Sequence, residues 1–145
     1  MNSSEADNLQ RFLRAQEGVY DQVCDELRGG KKYGHWMWFI FPQIQGLGSS
    51  PTAQKFAMSD LQEAQAYLSH SVLGPRLLEC SRLYLCIEGK TPNQILVWPD
   101  ELKLKSCMTL FEQVRPLFVF SEVLESHYGG ERCLRTQRTL EGSSH

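Results

Sequence analysis

A mostly α, single-domain fold is what this sequence predicts, and three observations carry that expectation. Apolar residues recur at three- and four-residue spacing through most of the chain. Helix-start and helix-stop residues punctuate the pattern repeatedly. The chain has 145 residues, 41% of them hydrophobic and 22% charged, with no internal repeat, low-complexity tract or linker, which fits one ordinary globular core. The expected architecture is a compact bundle of about five to seven helices with little or no sheet.

The first helix is expected from about Asp7 to Arg28, where Leu9, Phe12, Leu13, Tyr20, Val23 and Leu27 share the helical period and Gly29-Gly30 stops it. The block His35-Trp-Met-Trp-Phe-Ile-Phe41, closed by Pro42, has no period. Two buried helical turns and a buried strand both fit it. Gly46, Gly48, Ser49, Ser50 and Pro51 mark an irregular loop. Ser59 with Gln62 fits a capping box that opens a helix to about Ser69. Gly74-Pro75 starts the next helix, which runs to Glu88-Gly89. Thr91-Pro92-x-Gln94 starts a short helix that ends before Pro99. Asp100 then caps a helix to about Val114, whose Leu104, Met108 and Phe111 point to the core. A last helix runs from Leu117 to Tyr128, ahead of Gly129-Gly130. The globular domain is placed at residues 8–130. Residues 1–7 and the polar, aperiodic 131–145 are read as flexible ends.

Composition narrows the function classes. Lys and Arg number 15 against 17 Asp and Glu, a net charge of −2. No global basic field recruits nucleic acid, which enters only as a modified substrate. The longest apolar run, Trp36 to Phe41, is far short of the roughly 20 residues of a spanning helix, so no membrane partner is expected. The amino-terminal residues show neither the basic start nor the apolar stretch of a signal peptide. Cys24, Cys80, Cys86, Cys107 and Cys133 are scattered and odd in number, without C-x-x-C spacing. Reduced thiols, no disulfide partner, no metal site and a cytoplasmic location follow as expectations.

Two local features carry chemistry. Between Glu26 and Asp60 there is no carboxylate, while Arg28, Lys31, Lys32 and Lys55 lie there around the most aromatic stretch. Cations beside Trp36 and Trp38 suit a ligand with a phosphate and a flat ring. An aromatic core flanked by solvated lysines fits the same residues. A tryptophan pair two residues apart cannot share one helical face, which argues against both being core. His35 is read either as a proton-moving catalyst or as a partly buried, hydrogen-bonded side chain. The Gln43 amide stands where it could read a base or ribose edge.

The second feature is the Asp100 helix, where Leu102, Lys105, Ser106, Thr109 and Gln113 share one face without a carboxylate. An anionic ligand and plain solvent both suit such a face. Arg76, in the first turn of its helix, is a further cation placed against the usual dipole preference. Nucleotide-binding glycine motifs, zinc-protease motifs and cofactor motifs are absent. The serines, histidines and cysteines suggest no nucleophile with its base.

The segment His35-Trp-Met-Trp-Phe-Ile-Phe-Pro-Gln43, followed by Gly46-Leu-Gly48, resembles the signature of the domain-of-unknown-function family 1810. The likeness extends to Ala15-Gln16 with Tyr20, to Leu73-Gly-Pro-Arg76-Leu77, to Asp100 with Leu102-Lys-Leu-Lys-Ser106, and to Met108-Thr-Leu-Phe111. It spans about Asn8 to Gly130, and it adds Gln16 and Tyr20 to the candidate site. It implies a small, mostly helical protein, sometimes labelled calpastatin, without an established activity. Two positions depart from the family pattern. Cys107 stands where serine is usual, and Cys133 with Thr136-Gln137 stand where the family tends to show an aspartate followed by Thr-Leu. A fainter likeness, in Ala53-Gln-Lys-Phe56 and Lys105-x-x-Met108, points to the NADAR family, which acts on N-glycosidic bonds of ribosylated compounds.

Three functions fit these residues. In the first, the protein binds and processes a phosphorylated nucleoside or ADP-ribose-like ligand by a hydrolase-type step. Lys103, Lys105 and Arg76 would hold phosphate, Trp36 or Trp38 would stack the base, and His35 would move a proton. In the second, the same groups bind without turnover. In the third, the tryptophan block anchors a protein partner.

Overall fold

Gly18 decides the first departure from the expected elements. In the computed structural model, which describes residues 3–143, Gly18 takes φ +78. This left-handed conformation carries no Cβ penalty for glycine. The long first helix therefore splits into α1 (Ser3–Gln16) and α2 (Tyr20–Arg28). The break lets α1 pack on the tryptophan block while α2 packs on a later helix, α6 (Leu73–Leu85).

The aperiodic block forms one helical turn, α3 (Met37–Ile40). The loop read over Gly46–Pro51 leads straight into α4 (Pro51–Phe56). Its Ser50 hydroxyl accepts the Ala53 N–H at 3.1 Å, and Pro51 opens the helix with φ already set. Helix α5 (Leu61–Ser69) is capped one residue later than expected. Asp60, not Ser59, accepts the Glu63 N–H at 2.9 Å, and Glu63 in turn accepts the Ser59 N–H at 2.9 Å. The Thr91–Gln94 box forms as read and starts α7 (Pro92–Leu96). Helix α8 (Asp100–Val114) follows, and α9 (Val119–Tyr128) ends on Gly129 in the left-handed conformation.

Helix α8 is the centre of the bundle and packs against α3, α5, α7 and α9. Leu104, Met108 and Phe111 are fully buried there, as the sequence predicts. The sheet content among the described residues is one parallel bridge, Ile44 to Met58. In it the Met58 N–H donates to the Gln43 carbonyl at 2.8 Å, which fixes the chain beyond the tryptophan block.

The chain beyond residue 130 departs most from the sequence expectation. Residues read as a flexible end form α10 (Leu134–Ser143), packed on α8. Cys133, Thr136 and Leu140 recur at i, i+3 and i+7. Thr136 is buried, and Leu140 packs against the core. The Cys133 N–H donates to the Thr109 hydroxyl at 2.9 Å. Arg132 is tied to Glu112 and to Glu125, each through a 2.9 Å bond. This polar segment is anchored mainly by hydrogen bonds and ion pairs. Residues 1, 2, 144 and 145, also read as flexible, lie outside the described residues. The ten helices found among the described residues thus exceed the expected number. The excess comes from the Gly18 break and from α3, α4 and α10. No described helix is long and apolar enough to cross a membrane.

Candidate functional site

The Trp36–Trp38 pair shows how α3 sorts side chains. Two residues on a helical turn diverge by roughly 200°, so one indole enters the core and the other faces out. Trp36 is buried, and its indole N–H donates to Glu26 Oε1 at 3.0 Å. The same oxygen accepts the N–H groups of Tyr33 at 2.6 Å and Gly34 at 2.9 Å, while Gln22 donates to the other oxygen at 2.7 Å. Burial works against the Glu26 charge. The Gly34 and Tyr33 N–H groups, with Gln22 and Trp36, outweigh it and hold the carboxyl at about 2. Trp36 is therefore part of a sealed staple and offers no stacking face.

Trp38 lies on the other side of the turn and walls an open trough of about 800 Å³, within the usual range of small-ligand sites. Three segments build it: 38–50, the turn and first helical turns at 98–106, and 131–135. Gly48 brings the first segment close. A Cβ there would sit 2.8 Å from the Ala53 Cβ and 3.3 Å from the Trp38 ring. Lys103 Nζ lies over the Trp38 ring, 4.1 Å from its centroid. Lys103 also pairs with Asp100 at 3.0 Å, and Lys32 reaches the second oxygen of Asp100 at 2.8 Å. Asp100 is the first residue of α8 rather than its side-chain cap. Burial raises its pKa, but the two lysines overcome this and hold the carboxyl below its ordinary value.

The second segment supplies exposed apolar surface. Val97 adopts φ +66, an unfavourable conformation for a β-branched residue. Trp98 follows it, 71% exposed at the rim of the trough. Leu102 and Leu134, at 50% and 63% exposure, lie on the same lining. The charged lining is mostly cationic: Lys103, Lys105, Arg132 and Arg135 against Glu131. Lys105 pairs with Glu131 at 3.5 Å, and Arg135 donates to the Gly46 carbonyl at 3.3 Å. Gln43 also lines the trough. It is only 6% exposed, and its Nε2 has no hydrogen-bond partner among the described residues. A buried amide donor left unpaired costs about 1–3 kcal/mol.

Cys133 closes the lining, half-buried and one residue before α10. The Ser106 hydroxyl donates to its sulfur at 3.1 Å. Burial pushes the thiol up. The Ser106 hydroxyl, with the first N–H groups of α10 from Thr136 and Arg135, overcomes this and leaves it below the ordinary thiol value.

Of the residues singled out in the sequence, the trough gathers Trp38, Gln43, Lys103, Lys105 and Ser106. It does not gather the others. His35 is exposed and is not part of the lining. Thr109 is buried; its hydroxyl donates to the Lys105 carbonyl at 2.8 Å and accepts the Cys133 N–H. Gln16, Tyr20 and Arg76 form a separate cluster. Gln16 is buried and donates to the Phe39 carbonyl at 2.8 Å and the Tyr67 hydroxyl at 3.1 Å, while its Oε1 accepts from Arg76 at 3.1 Å. Arg76 lies over the Tyr20 ring, and the Tyr20 hydroxyl donates to Glu79 at 2.5 Å. Arg76 is thus not positioned with Lys103 and Lys105 on one phosphate.

Sequence reasoning missed Trp98, Arg132, Cys133, Leu134 and Arg135. The spacing of Cys133, Thr136 and Leu140 was the available signal for the last segment.

The family model described as a protein of unknown function (DUF1810) matches residues 6–140. Among curated proteins, none matches the chain. The crystal structure of the conserved hypothetical protein Rv1873 from Mycobacterium tuberculosis is similar, with 49% sequence identity and a TM-score of 0.91, covering 92% of this chain and 96% of that one. These matches lend no support to the fainter likeness to the NADAR family.

Proposed function

Because the chain belongs to the DUF1810 family of proteins of unknown function, we propose its function from the trough itself: binding of a small anionic ligand that carries a flat ring, of the phosphorylated-nucleoside or ADP-ribose-like class. The observation that carries this reading is the trough of about 800 Å³ walled by Trp38 and the exposed Trp98, whose charged lining has four cations against one carboxylate. Trp98 supplies an open indole face for the ring, with Trp38 as the adjacent wall. Lys105 and Arg135 supply charge for phosphate, the lysine as a point charge and the guanidinium as a planar fork of N–H donors. Binding without turnover is favoured over a hydrolase-type step, because His35 stands apart from the lining.

The test is calorimetry with AMP, ADP and ADP-ribose. Trp98→Ala, Trp38→Ala and Lys103→Ala each weaken binding, whereas His35→Ala leaves it unchanged. Wild-type protein that binds none of these at millimolar concentration removes the reading. The exposed Trp98, Leu102 and Leu134 then favour a protein partner instead.

A further inference from the structure

Beyond the C-terminal end of α8, away from the trough at its first turns, the chain runs Arg115-Pro116-Leu117-Phe118 into α9. Leu117 is 96% exposed, the most of any large apolar residue among the described residues, and takes φ +57. A left-handed backbone is costly for a residue with a Cβ. Almost wholly in water, the leucine side chain makes no packing contact that offsets this cost.

Two cations meet on the next residue. The Arg115 guanidinium lies over the Phe118 ring, 3.7 Å from its centroid, and the Arg82 guanidinium reaches the same ring at 5.6 Å. Arg82 is in the last turn of α6 and Arg115 is the C-cap of α8. The negative ends of two helices and the face of one ring thus hold two like charges together. Neither guanidinium has a carboxylate partner among the described residues. The carboxylates nearest in sequence do not serve. Glu79 accepts from Tyr20 and Cys24, Glu112 accepts from Arg132 and Ser121, and Glu122 forms no ion pair. In the trough, by contrast, Lys103, Lys105 and Arg132 are each paired with a carboxylate.

We propose that the 115–118 loop is a docking knob for a protein partner that presents an acidic, amphipathic segment. The apolar residues of that segment cover Leu117, and its carboxylates pair with Arg115 and Arg82. Charge complementarity sets the class of occupant: two guanidiniums without carboxylates are planar forks that match carboxylate oxygens. Leu117 selects protein over nucleic acid or free phosphate, because a phosphate backbone offers a fully exposed leucine no apolar surface.

The test selects a displayed random-peptide library on the full chain and measures the selected peptides by calorimetry. They are expected to combine carboxylates with bulky apolar residues. Leu117→Gly is expected to weaken them about tenfold. Its melting temperature should hold or rise, since glycine accepts φ +57 without strain, which separates lost docking from misfolding. Arg82→Gln and Arg115→Gln each weaken binding several-fold and flatten its salt dependence, whereas Trp98→Ala leaves it unchanged. Peptides that tolerate Leu117→Gly and both arginine variants, or that are lost with Trp98→Ala, overturn the proposal, as does a library that yields no binder. Poly-glutamate or an oligonucleotide that binds through the same arginines as tightly as the selected peptides overturns its apolar half. Leu117→Gly leaves nucleotide binding in the trough unchanged, so the two sites fail separately.

Discussion

Arg76 over Tyr20 and Lys103 over Trp38 are similar pairs, with the cation 4.8 Å and 4.1 Å from the ring centroid. They are completed in opposite ways. Around Arg76 the protein supplies the partners: Gln16 ties the guanidinium to the Phe39 carbonyl and the Tyr67 hydroxyl, and Glu79 accepts from the Tyr20 hydroxyl. Around Lys103 the protein supplies Asp100 at 3.0 Å, but the trough beyond remains open, with exposed Trp98 and Leu134. The first cluster ties α1 and α2 to α6. The second leaves apolar area exposed around an open cavity, as a binding site does. Residue type is shared between them; closure is not.

Substitution separates the two. The largest effect is expected at Gln16→Ala, which leaves the Arg76 guanidinium, the Tyr67 hydroxyl and the Phe39 carbonyl without their partner. At 1–3 kcal/mol for each buried group left unpaired, partly relieved by relaxation, the loss is about 3 kcal/mol. Urea unfolding measures it. An unchanged midpoint would show that the closed cluster is not structural.

Next come the open-cluster rings. Trp98→Ala is expected to cost about 2 kcal/mol in nucleotide binding, on the scale of nucleobase stacking, and less than about 0.5 kcal/mol in stability because the ring is mostly exposed. Equal losses in both would place Trp98 with the closed cluster and break the comparison.

A smaller, pH-dependent effect belongs to the staple under Trp36. The folded Glu26 carboxyl sits at about 2, below its ordinary 4.5. Its contribution is therefore complete above about 4.5 and is lost as pH falls from there towards 2. Glu26→Gln keeps an acceptor oxygen but loses the charge, at about 1 kcal/mol near neutrality. The gap between wild type and variant should narrow between pH 4.5 and 2 in urea titrations. A gap constant over that range would separate the stabilisation from the carboxylate charge.

The contrast also explains what the sequence could and could not show. Helices α7, α8 and α9 were legible because periodicity and caps are local. So were Leu104, Met108 and Phe111, which occupy one face of α8. The divergence of Trp36 and Trp38 was legible from their spacing, but not which of the two is sealed. That choice depends on Glu26, ten residues back, and on where its carboxylate meets the Tyr33 and Gly34 N–H groups. Thr109 and Ser106 look alike in a polar stripe, yet one hydroxyl is consumed by Lys105 and Cys133 while the other lines the trough. Helix α10 escaped notice because its period is carried by Cys133, Thr136 and Leu140 alone, while the ion pairs of Arg132 and the Thr109–Cys133 bond that hold it are long-range. His35 and Arg76 were grouped with the trough by residue type and local position, and long-range packing separates them from it.

The smallest expected effect is at Lys105. Its partner Glu131 is largely exposed, and their separation is 3.5 Å. Such a pair contributes between nothing and about 1 kcal/mol, because solvent screens the attraction and holding two long side chains costs entropy. Lys105→Ala should therefore shift stability by less than about 0.5 kcal/mol. Its effect on binding should be larger and should depend on salt. A cation facing a bound phosphate loses influence as ionic strength rises, since exposed charges are screened over about 8 Å at physiological salt. The affinity gap between wild type and Lys105→Ala, measured by calorimetry from 20 to 500 mM salt (a range of about 25-fold, over which screening changes several-fold), should close as salt increases. A stability loss with no change in affinity would mean that Lys105 belongs to the fold, like Arg76, and that the open cluster holds one fewer cation for its ligand.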